Sequence, residues 1–162
     1  MRAREIVLGA LLTALALLIP LAFRGWLQVT IPPFSATLGS HVPSFFAIFI
    51  SPWVAGMVGL ASSLGFLFTL GPVVAARAFI HVIFGITGAL LYRGGLKPWL
   101  VLLAILPIHA LGEALVVLPF GFDLAKAGLL VGVGTALHHA VDGLIALSLL
   151  GFLRAFRTSP EQ

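Results

Sequence analysis

GTALHHAVDG, Gly134 to Gly143, places two histidines and an aspartate inside an apolar run that extends from about Ala125 to Phe156. A run of that length exceeds the roughly 20 residues that an apolar helix needs to cross a bilayer. Its outer end is expected to be irregular around Gly132 and Gly134. On a helix, His138 and Asp142 are four positions apart and share a face, whereas His139 lies about 100° around from His138. An ionisable group in hydrocarbon costs roughly 2.5–3.5 kcal/mol on insertion scales, so such groups turn toward a cavity or a partner. The stretch therefore reads as a membrane helix with a polar inner face.

The rest of the chain agrees. Of its 162 residues, 60% are hydrophobic and 9% charged, with a mean hydropathy of +1.18. A soluble domain carries roughly 25% charged residues, and so few could not cover a soluble surface. The expected class is all-α and integral to the membrane, with one membrane domain over residues 1–162. A net charge of +4 would suggest nucleic acid in a soluble chain. Here the basic residues gather at segment ends, where they set topology and meet lipid headgroups, so no nucleic-acid partner is expected. With no cysteine, disulfides, thiolate metal sites and cysteine nucleophiles are excluded.

Six apolar segments follow one another: about Ile6–Phe23, His41–Ile50, Trp53–Leu70, Val73–Tyr92, Pro98–Leu118 and Ala125–Phe156. The first has a basic start like a signal peptide but reads as a transmembrane helix, because it is long and no cleavage site follows it. Between the first two segments, Pro32-Pro33 prevents a continuous helix. The second segment is short for a full span; it either begins earlier, near Ser35, or is partly re-entrant. The distribution of Lys and Arg puts both termini in the cytoplasm. Arg2, Arg4, Arg93, Lys97, Arg154 and Arg157 then lie inside, and Arg24 and Lys126 outside.

Three segments carry ionisable pairs four residues apart: Arg77 with His81, His109 with Glu113, and His138 with Asp142. Each pair occupies one helix face, and convergence on one polar cavity is the economical arrangement. Ser40 and His41 lie where the outer loop meets the second segment. The cavity is expected to open outward, with Asp142 at its floor, orienting His138 by accepting a hydrogen bond. The first segment carries a small-residue row, Ala10-x-x-x-Ala14, of the kind that lets another helix approach closely. A P-loop, an H-E-x-x-H zinc motif and a G-x-S-x-G elbow are all missing, so the chain is not expected to hydrolyse ATP or act as an enzyme of those types.

Four stretches together carry a resemblance: SATLGSHVPSFFAIFISPWVAG (35–56), RAFIHVIFG (77–85), IHALGEALVV (108–117) and VGVGTALHHAVDG (131–143). Their S-H-V-P-x-F-x-A-x-F-I-S-P, H-A-x-x-E and G-T-x-x-H patterns resemble the substrate-binding S-components of energy-coupling factor (ECF) vitamin transporters, most closely the niacin type. The resemblance spans about Ala10 to Leu147. It implies a bundle of six transmembrane helices with both termini cytoplasmic, in a prokaryotic plasma membrane. It also implies a substrate site opening outward under the loop that follows the first helix. Ala10 and Ala14 match the motif that docks on the transmembrane T-component, and two cytoplasmic ATPase subunits would supply the energy. No cofactor or metal is implied.

On this reading the substrate-binding residues are Arg77, His81, His109, Glu113, His138, Asp142, His41 and Ser40. Arg77 is the natural partner for the nicotinate carboxylate, because its guanidinium fork matches two oxygens. The pyridine nitrogen accepts from His81, His109, His138 or a protonated Glu113, and Phe45, Phe79 or Trp26 covers the ring. If Glu113 instead serves as a permanent counter-ion to Arg77, a neutral ligand such as nicotinamide is preferred. Alternatives are an S-component for another vitamin or small heterocycle, a Ni²⁺ or Co²⁺ uptake subunit, and an intramembrane enzyme. Against metal uptake, Arg77 would repel a cation and the N-terminal MRAREI holds no His or Cys.

Overall fold

A computed structural model describes residues 2–158, with side chains through residue 156. Arg157, counted above for orientation, has its side chain outside the described set. Helix α1 covers Ala3–Ala22. A two-stranded antiparallel hairpin follows, β1 Gln28–Ile31 and β2 Phe34–Thr37, with Gln28 opposite Thr37 and Ile31 opposite Phe34. Then come α2 (Val42–Ile48), α3 (Pro52–Thr69), α4 (Pro72–Arg93) and α5 (Pro98–Val116). After a 3₁₀ turn, the short α6 (Leu124–Lys126) leads through a π-helical stretch, Ala127–Val133, into α7 (Gly134–Thr158).

Local chemistry sets these boundaries. Helices α3, α4 and α5 each begin with proline, whose fixed φ and missing N–H suit the first helical turn. Ser51 caps α3 by accepting from the Val54 amide at 3.3 Å. Among the described residues, five helical stretches are long and apolar enough to cross a membrane: Ala3–Ala22, Pro52–Thr69, Pro72–Arg93, Pro98–Phe120 and Leu124–Phe156.

One sequence expectation needs correction. The second apolar segment does not begin as a helix near Ser35, which lies in strand β2. Its helix starts at Val42 and has seven residues, about 10 Å at 1.5 Å per residue. The chain before it descends into the bundle as loop and hairpin. The hairpin is a small addition to an otherwise all-helical chain, as the all-α reading expects. The irregularity expected near Gly132 is the π-helical stretch.

The core lies between α2, α3, α4, α5 and α7. Phe45, Phe84, Val54, Val58, Val101 and Ile105 are all fully buried there. Helices α3 and α4 approach closely at Gly59, where an added Cβ would sit 2.6 Å from the Val82 amide nitrogen. Such backbone contact is how membrane helices gain packing energy without a hydrophobic driving force between them. A smaller cluster of Phe34, Val117, Ala127 and Val131 seats the hairpin on the bundle.

Candidate functional site

The polar faces of α4, α5 and α7 converge, and the loop before α2 joins them. Arg77, His81, His109, Glu113, His41 and Asp142 are all buried. His138 is partly buried. The i, i+4 spacing is responsible: it turns Arg77 and His81, then His109 and Glu113, then His138 and Asp142, toward one axis. Two carboxylates organise the set.

Glu113 Oε2 accepts from Arg77 Nε at 2.9 Å, from Arg77 Nη2 at 2.7 Å and from the Thr135 hydroxyl at 2.7 Å. Its other oxygen, Oε1, lies 3.2 Å from His109 Nε2 and 3.6 Å from His81 Nε2. The remaining donors of Arg77 reach the hairpin: Nη1 to the Pro33 carbonyl at 3.3 Å and Nη2 to the Ser35 carbonyl at 3.2 Å. The Phe34 ring centroid lies 5.4 Å from the guanidinium carbon. Arg77 is thus held by Glu113 and by the hairpin, with one Nη1 hydrogen left over.

Asp142 accepts from the backbone amides of Gly39 at 2.7 Å and His41 at 2.9 Å. His138 Nε2 lies 3.0 Å from Asp142 Oδ2 and donates to the Thr37 carbonyl at 3.0 Å. Asp142 thus contacts His138, and it fastens the loop to α7.

A cavity of about 60 Å³ lies under the hairpin. A single water needs about 10–15 Å³, so this is room for one small ring compound. Ser35, Thr37, Ser40, His41, Ser44, Arg77, His81, Glu113 and His138 line its polar side, and Pro20, Phe66, Leu70 and Val74 its apolar side. Three buried side-chain atoms on residues lining it lack a hydrogen-bond partner: His41 Nδ1, Ser44 Oγ and His81 Nε2. Buried polar atoms are rarely left so. His41 Nδ1 has the Asp142 carboxylate 3.2 Å away, so among the described residues Ser44 Oγ and His81 Nε2 are the groups left for a bound species.

Of the residues expected from sequence, His109 and Asp142 are not among those lining the cavity; they stand behind it. None of the three aromatics proposed to cover a ring lines it either. Phe45 is fully buried in the core, Trp26 is exposed and packs on Phe23, and Phe79 is exposed. Phe79 is two residues from Arg77, about 200° around the helix, so it points away. Two residues are added. Ser44 follows one turn into α2 and was hidden in an apolar segment. His139 is buried, bonded through Nδ1 to His109 Nδ1 at 2.9 Å and through Nε2 to the Leu102 carbonyl at 3.0 Å.

The chain is 31% identical over 167 aligned positions to the niacin transporter NiaX of Lactococcus lactis subsp. cremoris (strain MG1363), covering 91% of this chain and 73% of that protein. No family profile and no solved structure matches the chain significantly. Identity of that degree along nearly the whole length, on a helical bundle with five candidate spans, makes this a multi-pass membrane protein belonging to the niacin-type S-components of the energy-coupling factor vitamin transporters.

Proposed function

We propose that the chain is the substrate-binding subunit of an ECF-type ABC importer, and that its cargo is niacin, as nicotinate. The observation that carries this reading is the small cavity that sets a polar wall of serines, histidines, Arg77 and Glu113 against an apolar one in a relative of a niacin transporter. Nicotinate is a flat ring with two kinds of acceptor, a carboxylate and a pyridine nitrogen. Ser40 and Ser44 supply hydroxyl donors on the polar side, beside the imidazoles of His41 and His81, and Phe66 and Leu70 face the ring. His138 closes one wall, held there by Asp142. Arg77 and Glu113 belong to the polar wall itself, fixing charge and holding the hairpin down, and His109 backs Glu113 from behind.

The membrane arrangement belongs to the same proposal. The five candidate spans plus α2 and its descending loop make six crossings in a single membrane domain. Both termini are cytoplasmic, on the bias of Arg2, Arg4, Arg93, Lys97 and Arg154. Ala10 and Ala14 are exposed on α1 and form the face for a transmembrane T-component. Two cytoplasmic ATPase subunits drive uptake across a prokaryotic plasma membrane.

One observation favours a second cargo. The pairing of Arg77 with Glu113 neutralises the guanidinium, which suits the uncharged amide nicotinamide. Equilibrium binding to the purified protein in detergent tests both. Saturable binding of nicotinate in preference to nicotinamide and other vitamins is the expected result. Binding of another vitamin alone would discard niacin and keep the S-component.

A further inference from the structure

Beside the cavity, two buried acceptors face each other with no hydrogen between them. The Leu102 carbonyl can only accept, so His139 Nε2 carries the hydrogen of their 3.0 Å bond. A neutral His139 then accepts at Nδ1, and His109 donates to it from its own Nδ1 at 2.9 Å. This leaves His109 Nε2 as a lone pair, 3.2 Å from Glu113 Oε1, a carboxylate oxygen that also only accepts. Moving the hydrogens changes nothing in the count. The chain from Leu102 to Glu113 has three hydrogen bonds, and two neutral imidazoles bring two hydrogens. A cation is required to complete it.

The geometry favours a metal ion over a proton. One ligand atom from each of His41, His81, His109 and Glu113 lies within 4.8 Å of the other three, and all four residues are buried. A tetrahedral site with bonds of about 2.0–2.2 Å has ligand–ligand edges of about 3.3–3.6 Å. The His109–Glu113 and His81–Glu113 separations are 3.2 and 3.6 Å. A proton shared by His109 and Glu113 would leave His81 Nε2 unpartnered; a metal ion uses it. The three imidazoles stand nearly edge to face, with centroids 4.9, 4.6 and 5.2 Å apart. Supporting contacts are in place too. His139 backs His109, Asp142 Oδ2 lies 3.2 Å from His41 Nδ1, and Arg77 and Thr135 hold Glu113 by Oε2, leaving Oε1 to the ligand set. Arg77, which the sequence suggested would repel a cation, is on the far oxygen of the carboxylate.

We propose that His41, His81, His109 and Glu113 hold a divalent transition-metal ion of the zinc, cobalt and nickel group, and that this ion supplies the positive charge to which a carboxylate ligand binds. Three imidazoles and one carboxylate suit that group better than magnesium or calcium. The second half rests on the vitamin-pocket reading. Arg77 brings one positive charge against the two carboxylates, Glu113 and Asp142. Left so, the buried set disfavours an anion. A divalent ion reverses the balance by two, and a monoanionic ligand then neutralises the site.

The test uses the full chain in detergent, stripped with EDTA and titrated with Co²⁺. One equivalent should bind with the intense visible absorption of tetrahedral cobalt, and Zn²⁺ should displace it. His81→Ala and His109→Ala should lose the signal. His139→Phe keeps a ring behind His109 without its hydrogen bond, and should weaken Co²⁺ binding about 10–100-fold. Stripping should weaken nicotinate binding about tenfold or more, with recovery on adding metal and little change for nicotinamide. If the stripped wild-type chain takes up no Co²⁺, the metal site is wrong, whatever the variants do. If Co²⁺ binds but stripping leaves nicotinate affinity unchanged, the ion's role toward the ligand is wrong. If nicotinate binds in neither state, the vitamin reading fails, and the cobalt titration still decides the metal site.

Discussion

Glu113 and Asp142 are both buried carboxylates, and they are used differently. Asp142 accepts from two main-chain amides of the loop before α2 and from one histidine, so its work is mechanical: it fastens the chain that roofs the cavity to α7. Glu113 accepts from side chains only, and its two oxygens are divided between an arginine on one side and histidines on the other. Its work is electrostatic. The difference shows how one kind of side chain becomes a latch or a charge relay according to whether backbone or side chains surround it.

Asp142→Ala should give the largest change. It removes two charge-assisted amide bonds worth about 1.5–3 kcal/mol each, so a loss of about 3–5 kcal/mol is expected, read as a fall in Tm, together with loss of ligand binding. A variant that keeps wild-type Tm would break the comparison. Glu113→Gln should cost less stability, about 2–3 kcal/mol, because the amide oxygen and the Pro33 and Ser35 carbonyls still accept from Arg77. Its signature is in binding, with affinity for nicotinate and nicotinamide changing by different factors in paired titrations. Equal factors would mean that Glu113 is only another latch.

Gly134→Ala sharpens the picture of the roof. Its Cβ would sit 2.8 Å from the Phe34 ring. The ring can tilt, so a cost of about 1 kcal/mol is expected, at the low end for overpacking. Ligand dissociation should quicken more than Tm falls, as stopped-flow release would show. The smallest effect belongs to Asp123, which caps α6 in the open. Its carboxyl is held below the usual range, chiefly by the Lys126 amide and then by the Lys126 side chain. A depressed folded-state value means that its contribution is present above the unfolded value of about 3.9 and lost as pH falls through the lower one. Asp123→Ala should therefore leave binding unchanged and flatten only the acid end of a Tm–pH curve.

Much of this was legible in the sequence for a simple reason. The pairs at positions 77 and 81, 109 and 113, and 138 and 142 repeat the helical period, and periodicity survives without knowledge of partners. Helix starts at Pro52, Pro72 and Pro98 were equally local signals. What could not be read was partnership. Whether Arg77 met a ligand or Glu113 depends on how α4 and α5 rotate against each other, which no spacing within either helix reports. The hairpin did leave a trace, in the β-branched Val29, Thr30 and Ile31 before Pro32-Pro33, but the prolines and the polar flanks read as loop. His139 was set aside because it lies off the face of His138; the inner arc of α7 is wide enough to include both.

The hairpin is held almost wholly by its main chain. Arg77 grips the Pro33 and Ser35 carbonyls and His138 the Thr37 carbonyl, while just beyond it Asp142 grips the Gly39 and His41 amides. A grip on peptide groups does not inspect the side chains attached to them. The exposed positions of this segment, Val29, Thr30 and Ile31, can therefore drift freely in evolution while Phe34 and the residues that hold the backbone stay fixed. The cover over the pocket is consequently the part of the molecule most open to being rewritten.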